Sequence, residues 1–293
     1  MVASVGVIGV GAMGLGIARS LVRGGFTTLG RDVDAARETL ARASGVRLAA
    51  SAAELGRQAE VAIVVVVDAG QIEQVLDGAD GLLAALRPGK LVLLCSTIAP
   101  GDAQNFAARI GRTGALVLDA PISGGPARAE AGTMSIMLAG SQEALASAEP
   151  VLAAIAGKRF VIGERHGDAA RAKLVNNLMA GINLMAGAEA LALAQRLGLD
   201  PRAMFELIRA SSGQSWIFED RMARALADDY EPRAAAHVLT KDLTLANEAA
   251  REAGVDLPLG AVARDLLGAT CAGGWRLEDD AAALKYYRRR FGL

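Results

Sequence analysis

Histidine and cysteine are almost absent from this chain. Two of each occur among 293 residues: His166, His237, Cys95 and Cys271. The cysteines lie far apart and have no metal-ligand companions, and Cys95 ends an apolar stretch where it reads as a small buried hydrophobe. Two histidines are too few for a histidine-based metal site or proton relay, so no metal is expected. Charge of one sign is missing too. The net charge is −1, with both signs mixed along the chain, which leaves no electrostatic footprint for nucleic acid. The cluster Arg288-Arg289-Arg290 reads as a solvated helix end that suits the helix dipole. Long apolar runs are lacking although 52% of residues are hydrophobic. The longest, such as residues 61–67, have the length of a strand, so no membrane span is expected. The first strand begins almost at the N-terminus, leaving no room for a signal peptide, and a cytoplasmic protein is expected.

What is present falls into two halves. Short apolar stretches at residues 4–10, 27–30, 61–67, 90–95, 115–119 and 134–139 read as strands, with helical patterns at 15–22, 35–43 and 71–76 between the early ones. Strands that are apolar throughout, not alternating, fit a parallel sheet covered on both faces. Beyond about Gly163 the strand signal disappears. Alanine, leucine and methionine recur at helical spacing over 169–197, and further helices are predicted at 201–210, 216–226, 240–253 and 258–269. The expected organisation is a doubly wound α/β domain over 1–163 and an all-helical domain over 164–293 for substrate and dimerisation. The long helix joins them, and the active site is expected in the cleft between.

The first strand runs into Gly9-Val10-Gly11-Ala12-Met13-Gly14 and then straight into a helix, the dinucleotide fingerprint in its structural context. Gly9 permits the turn, Gly11 admits a pyrophosphate, and Gly14 lets the helix pack close with its positive end toward the phosphates. This makes the first domain Rossmann-type. Asp32 falls near the end of the second strand, where a carboxylate accepts from ribose hydroxyls and repels a 2′-phosphate, favouring NAD over NADP. Arg31 beside it either tolerates that phosphate or is a solvated surface charge. The absence of a second basic residue at Val33 favours the latter.

Three further segments invite a chemical reading. Asp119-Ala120-Pro121-Ile122-Ser123-Gly124-Gly125-Pro126 leaves a strand at its carboxyl end, where Ser123 offers a hydroxyl and the glycines offer N–H groups to a carboxylate. It is equally an ordinary Pro/Gly turn. Lys173 and Asn177 lie one turn apart on the long helix, so an ammonium and an amide can converge on one oxygen. Val175, Leu178 and Met179 are expected to keep that neighbourhood apolar and lower the lysine pKa from about 10.4. A lysine snorkelling from the surface is the alternative. Lys241-Asp242 opens a helix by this reading, with Asp242 explained by capping and dipole effects and Lys241 long enough to reach nicotinamide or substrate. Thr97, after a strand end, is placed beside the nicotinamide ribose or in a simple turn.

Taken in order, GVIGVGAMG, Cys95-Ser96-Thr97, DAPISGGPARAEAGTM, KLVNN and KDLTLA resemble the β-hydroxyacid dehydrogenase family over essentially the whole chain. GQIEQVLDGADG, SGQSWIFEDRM and DDYEPRAA resemble its L-threonate-oxidising branch. The five ordered motifs turn the reading of Ser123 and Lys173 toward function. The resemblance implies that Lys173 is the general acid/base and that Asn177 places the hydroxyl and the lysine. It also implies that Ser123, Gly124 and Gly125 grip the substrate carboxylate, and that Thr97 and Lys241 contact cofactor or substrate. The cofactor-binding set is Gly9, Gly11, Ala12, Met13, Gly14, Asp32, Val66, Val67, Thr97 and Lys241. One departure from the family pattern is Ala169 where a glycine is common, which predicts a tighter or shifted start to the long helix.

The implied reaction is NAD-linked oxidation of a small hydroxy acid, L-threonate or a related sugar acid. Ser123, Ser212, Gln214 and Ser215 are available to its hydroxyls, whereas Trp216 and Phe218 would line a more apolar pocket. Alternatives are a 3-hydroxyisobutyrate dehydrogenase or a tartronate or succinic semialdehyde (glyoxylate) reductase. From other classes come an imine reductase, against which Lys173 argues, and a non-catalytic NAD-binding interaction module. The alanine- and leucine-rich helical half predicts a homodimer or homotetramer.

Overall fold

A computed structural model describes residues 4–293. Among the described residues nine strands form one sheet, and the chain divides into two compact units, one ending at Lys173 and the other beginning at Leu174. In chain order the first unit runs β1 (Ser4–Ile8), α1 (Ala12–Arg23), β2 (Thr27–Arg31), α2 (Ala35–Ala43), β3 (Arg47–Leu48), α3 (Ala52–Gln58), β4 (Val61–Val64) and α4 (Ala69–Leu76). It continues with β5 (Leu91–Leu94), α5 (Pro100–Gly111), β6 (Leu116–Asp119), β7 (Ile122–Ser123), α6 (Gly125–Ala131), β8 (Met134–Ala139), α7 (Gln142–Ile155) and β9 (Ala156–Gly163). Helix α8 (Asp168–Arg196) begins in this unit and ends in the second. There it is followed by α9 (Pro201–Arg209), α10 (Trp216–Leu226), α11 (Ala236–Glu252), α12 (Pro258–Thr270) and α13 (Ala283–Arg290).

The sheet order is β3-β2-β1-β4-β5-β6-β8-β7, with β9 paired to β8. Successive residues of the apolar strands serve opposite faces. Val5, Val7, Ile63 and Leu93 join one core cluster, while Ile8, Val64, Val92 and Leu94 join the other. Each face is therefore closed by its own layer, which explains why these strands are apolar at every position. The chain reverses its direction of growth at β1, which sits between β2 and β4, so the crevice outside the carboxyl ends of β1 and β4 is the switch point where such sheets take ligands.

Two expectations need correction. The sheet is not wholly parallel, because β8 runs antiparallel to β6 and β7. Nor are all apolar stretches short: α8 is long and apolar enough to cross a membrane, and half of that stretch is buried inside the protein, as in a core helix. Three strands escaped the sequence pattern. β3 and β7 have two residues each, too few for a period. β9 lies largely exposed, and Lys158 and Arg159 interrupt its apolar signal. Ala169, in the first turn of α8, is fully buried beside Met137 and Ala139 of β8.

The second unit has its own core, in which Phe205 and Phe218 stack at 5.4 Å and Leu243 is fully buried. Gly181 of α8 faces α11: a methyl group added there would lie 2.5 Å from Leu243 Cδ1. The absent side chain thus sets how closely the two helices approach. Gly181→Ala is expected to reduce unfolding free energy by about 1–3 kcal/mol through overpacking, read as a lower urea midpoint. An unchanged midpoint would show that this approach is not limiting.

Candidate functional site

The crevice beyond β1 is built from backbone. Gly9 has φ +92°, and its N–H donates to the Arg31 carbonyl at 2.9 Å. A Cβ on Gly9 would sit 2.4 Å from the Val65 carbonyl oxygen, and one on Gly14 only 1.8 Å from the Gly9 oxygen. These glycines are demanded by close approach. Gly11 differs, since a Cβ there would meet nothing within 4 Å. Gly11 is also the N-cap of α1, where no side chain caps the helix, so the first N–H groups around Ala12 and Met13 face a space that the protein leaves open. An open cradle at the positive end of a helix fits a pyrophosphate.

Asp32 stands at the other side of this cradle. Its Oδ2 accepts from Val10 N at 2.8 Å and its Oδ1 from Asp34 N at 3.0 Å, which fixes the carboxylate while leaving each oxygen further lone-pair capacity. Arg31 is paired with Glu38 at 2.6 Å and also donates to the Asp32 carbonyl. Burial alone would raise the Glu38 pKa, but the Arg31 hydrogen bond and the Asp32 N–H outweigh it and hold the acid below its ordinary value. Glu38, which the sequence reading did not single out, therefore engages the guanidinium. The predicted strand 61–67 stops at Val64 because Val65 to Val67 form the lip of the crevice. Val66 N donates to buried Ser96 Oγ at 3.0 Å and Val67 N to Gln71 Oε1 at 2.8 Å. Thr97 follows Ser96 directly, beyond the end of β5.

The segment after β6 leads into β7, whose Ser123 lies opposite Ser135 of β8, with α6 between the two strands in sequence. Gly124 and Gly125 follow at φ +131° and +75°, conformations that a side chain would strain. Asp119, the last residue of β6, reaches the start of α8: its Oδ2 accepts from Gly167 N at 2.8 Å and Ala170 N at 3.0 Å. Burial pushes the Asp119 acid above the usual carboxylate range, and the two N–H groups and His166 oppose that shift. His166 Nε2 lies 3.2 Å from the Val117 carbonyl, a second tie between this helix start and β6.

Lys173 follows on α8 and is buried, with 6% of its surface exposed, which sets aside the snorkelling alternative. Two of the three apolar neighbours named from the sequence do not provide that burial, while Leu178 is half-buried. Val175 is 68% and Met179 60% exposed, because they occupy the opposite face of the helix. In the second unit Asn177 is buried, and its amide nitrogen donates to Asp242 Oδ2 at 2.6 Å while its oxygen accepts from Asn176 at 3.0 Å. Lys241 Nζ lies 2.8 Å from Asp242 Oδ1. Asp242 is thus no capping residue. The helix starts six residues earlier, at Ala236, and the buried carboxylate joins Asn177 of α8 to Lys241 of α11. Two side chains weighed for substrate contact are engaged elsewhere: Ser215 Oγ caps α10 through Phe218 N at 3.2 Å, and Phe218 is 1% exposed in the core.

Residues 4–163 match the family model of the NAD binding domain of 6-phosphogluconate dehydrogenase. Residues 167–287 match that of the NAD-binding region of NADP-dependent 3-hydroxyisobutyrate dehydrogenase. The L-threonate dehydrogenase of Cupriavidus necator is 44% identical over 285 residues, covering 97% of this chain and 96% of that protein. The L-threonate dehydrogenase of Escherichia coli K12 is 38% identical over 284 residues, covering 97% and 94%. A crystal structure of 3-hydroxyisobutyrate dehydrogenase from Salmonella typhimurium superposes with a TM-score of 0.91 at 37% identity, covering 97% of this chain and 99% of that one. The crevice at β1 therefore belongs to an NAD(P)-binding chain, and its open cradle suits that group. Gly11→Ala is expected to leave the thermal midpoint unchanged, since the new methyl meets no protein atom, yet to weaken NADH binding about tenfold, or ~1.4 kcal/mol. Fluorescence titration beside a thermal melt checks both halves. Unaltered affinity would mean that the cofactor does not approach Gly11.

Proposed function

Because this chain belongs to the β-hydroxyacid dehydrogenase family and is an NAD-dependent oxidoreductase acting on CH–OH groups, we propose that it oxidises L-threonate or a related sugar acid by lysine acid/base catalysis. The observation that carries this reading is Lys173, a buried amine on α8 one turn before Asn177, whose own amide is held by Asp242. Bound at the crevice, NAD supplies the hydride acceptor. Neutral Lys173 takes the hydroxyl proton at Nζ, and the ammonium so formed steadies the carbonyl oxygen that develops. Asn177 keeps a second amide hydrogen for the same oxygen, because Asp242 uses only one. Ser123 and the N–H groups at Gly124 and Gly125 hold the carboxylate, while Thr97 and Lys241 contact cofactor or substrate. Orientation and one proton transfer are all that these residues contribute, with proton transfer worth about 10²–10⁴-fold.

NAD is the preferred cofactor in this reading. The Asp32 carboxylate would repel a 2′-phosphate, and Arg31 is paired with Glu38. The polyhydroxy acid is favoured over an aliphatic one by the two L-threonate dehydrogenases and by the burial of Phe218, which removes one apolar wall from consideration. The enzyme is placed in the cytoplasm, with a diffusible acid as its substrate. Lys173→Ala is expected to lower kcat by at least about 100-fold with NAD affinity intact; near-normal kcat would end the lysine mechanism. For the wild-type enzyme, kcat/KM is measured for L-threonate, 3-hydroxyisobutyrate, glycerate and serine with NAD and with NADP. L-threonate with NAD is expected to lead. A higher value for 3-hydroxyisobutyrate, or equal use of both cofactors, would reassign the substrate or the role of Asp32.

Along α8, Val175, Met179, Ala186 and Leu193 are exposed at spacings of four, seven and seven, an apolar stripe on one helix face. A second copy of the chain covers it, giving a homodimer or a dimer of dimers. Light scattering at micromolar concentration should report a mass of at least twice 30.1 kDa. A monomer would remove this part of the reading.

A further inference from the structure

We propose that Asp119 is a positioning residue for the reaction: by accepting the Gly167 and Ala170 amides it sets the start and rotation of α8, and with them where Lys173 presents its amine. This rests on the lysine reading above. A helix leaves its first amides without intrahelical partners, and here the nearest carboxylate does not serve them. Asp168 is turned to Arg165 and Arg171 at 3.4 and 2.6 Å. The cap comes instead from the end of β6, 48 and 51 residues away in sequence, and is 2% exposed. Lys173 lies only three residues beyond Ala170. In an α-helix a slip of one residue at the start turns every following side chain by about 100°, so an amine in the second turn cannot keep its direction unless the first turn is held. Gly167, at φ +94° and with a Cβ position 2.9 Å from the Pro100 carbonyl, admits no side chain and brings its N–H to the carboxylate. Asp119 also stands four residues before Ser123, so one short segment holds the helix that bears the base and carries the hydroxyl assigned to the substrate carboxylate.

The test compares Asp119→Asn, Asp119→Glu and Asp119→Ala in the full-length enzyme, measuring kcat with L-threonate, NAD affinity by fluorescence titration, and the thermal midpoint. The asparagine oxygen accepts from both amides at the same distance, so Asp119→Asn is expected to keep kcat within about threefold. Glutamate keeps the charge but carries its oxygens one methylene further, and a displacement of that size costs about 10- to 100-fold in kcat. Alanine should do the same or worse. NAD affinity is expected to stay within about twofold throughout, because the cradle at Gly11 is built from β1 and α1. If Asp119→Ala does not fold, the comparison of glutamate with asparagine decides. The inference is overturned if all folded variants keep wild-type kcat, if asparagine is as damaging as glutamate, or if NAD affinity falls in parallel with kcat. Lys173→Ala is assayed alongside: an active Lys173→Ala sinks the lysine mechanism itself, whereas an inactive one beside fully active Asp119 variants sinks only the positioning role.

Discussion

One buried carboxylate, Asp119, accepts the Gly167 and Ala170 amides at the start of α8, and the proposed placement of the Lys173 amine depends on that pair of hydrogen bonds. Burying Asp119 is unfavourable by itself, as the upward shift of its acid shows. Two charge-assisted N–H bonds, each worth about 1.5–3 kcal/mol, and the positive end of a 29-residue helix offset part of that penalty. Further along the same helix a second buried carboxylate, Asp242, takes the Asn177 amide and the Lys241 ammonium, and so ties α8 to α11. Lys173 lies between these two anchoring points, each made by a residue remote in sequence.

A second constraint operates at the crevice, where backbone alone does the shaping. Gly9 and Gly14 are required because carbonyl oxygens occupy the space that side chains would take, whereas at Gly11 that space is open. Phosphate recognition of this kind uses N–H groups at a helix end and needs no cation. In the proposed reaction the nicotinamide supplies the hard step, so the protein's share is orientation and one amine, which a chain with two histidines and two cysteines can provide.

The fingerprint, Asp32 and the apolar strands were legible because their information is local. A strand, a glycine turn and a helix follow one another within residues 4–23, and the burial of both sheet faces is written in uninterrupted valine and leucine. The one-turn spacing of Lys173 and Asn177 was legible for the same reason, and both side chains are buried. The partner residues were not. Asp242 read as a cap because it follows a lysine near an assumed helix start; with the helix beginning at Ala236, it lies well inside and pairs across 65 residues with Asn177. Ser215 and Phe218 looked available to a substrate, yet one caps its own helix and the other stacks in the core.

Sequence by itself determined the class of the fold and the nucleotide crevice, and it named the residues proposed to bear chemistry, because backbone conformation and helical phase depend on neighbours a few positions apart. Only the tertiary structure decided which of those residues are buried, which carboxylates hold them, and that Val175 and Met179 face away from the lysine they flank. Those outcomes depend on contacts between segments 48 to 65 residues apart, and no local pattern encodes which distant acid will meet which amide.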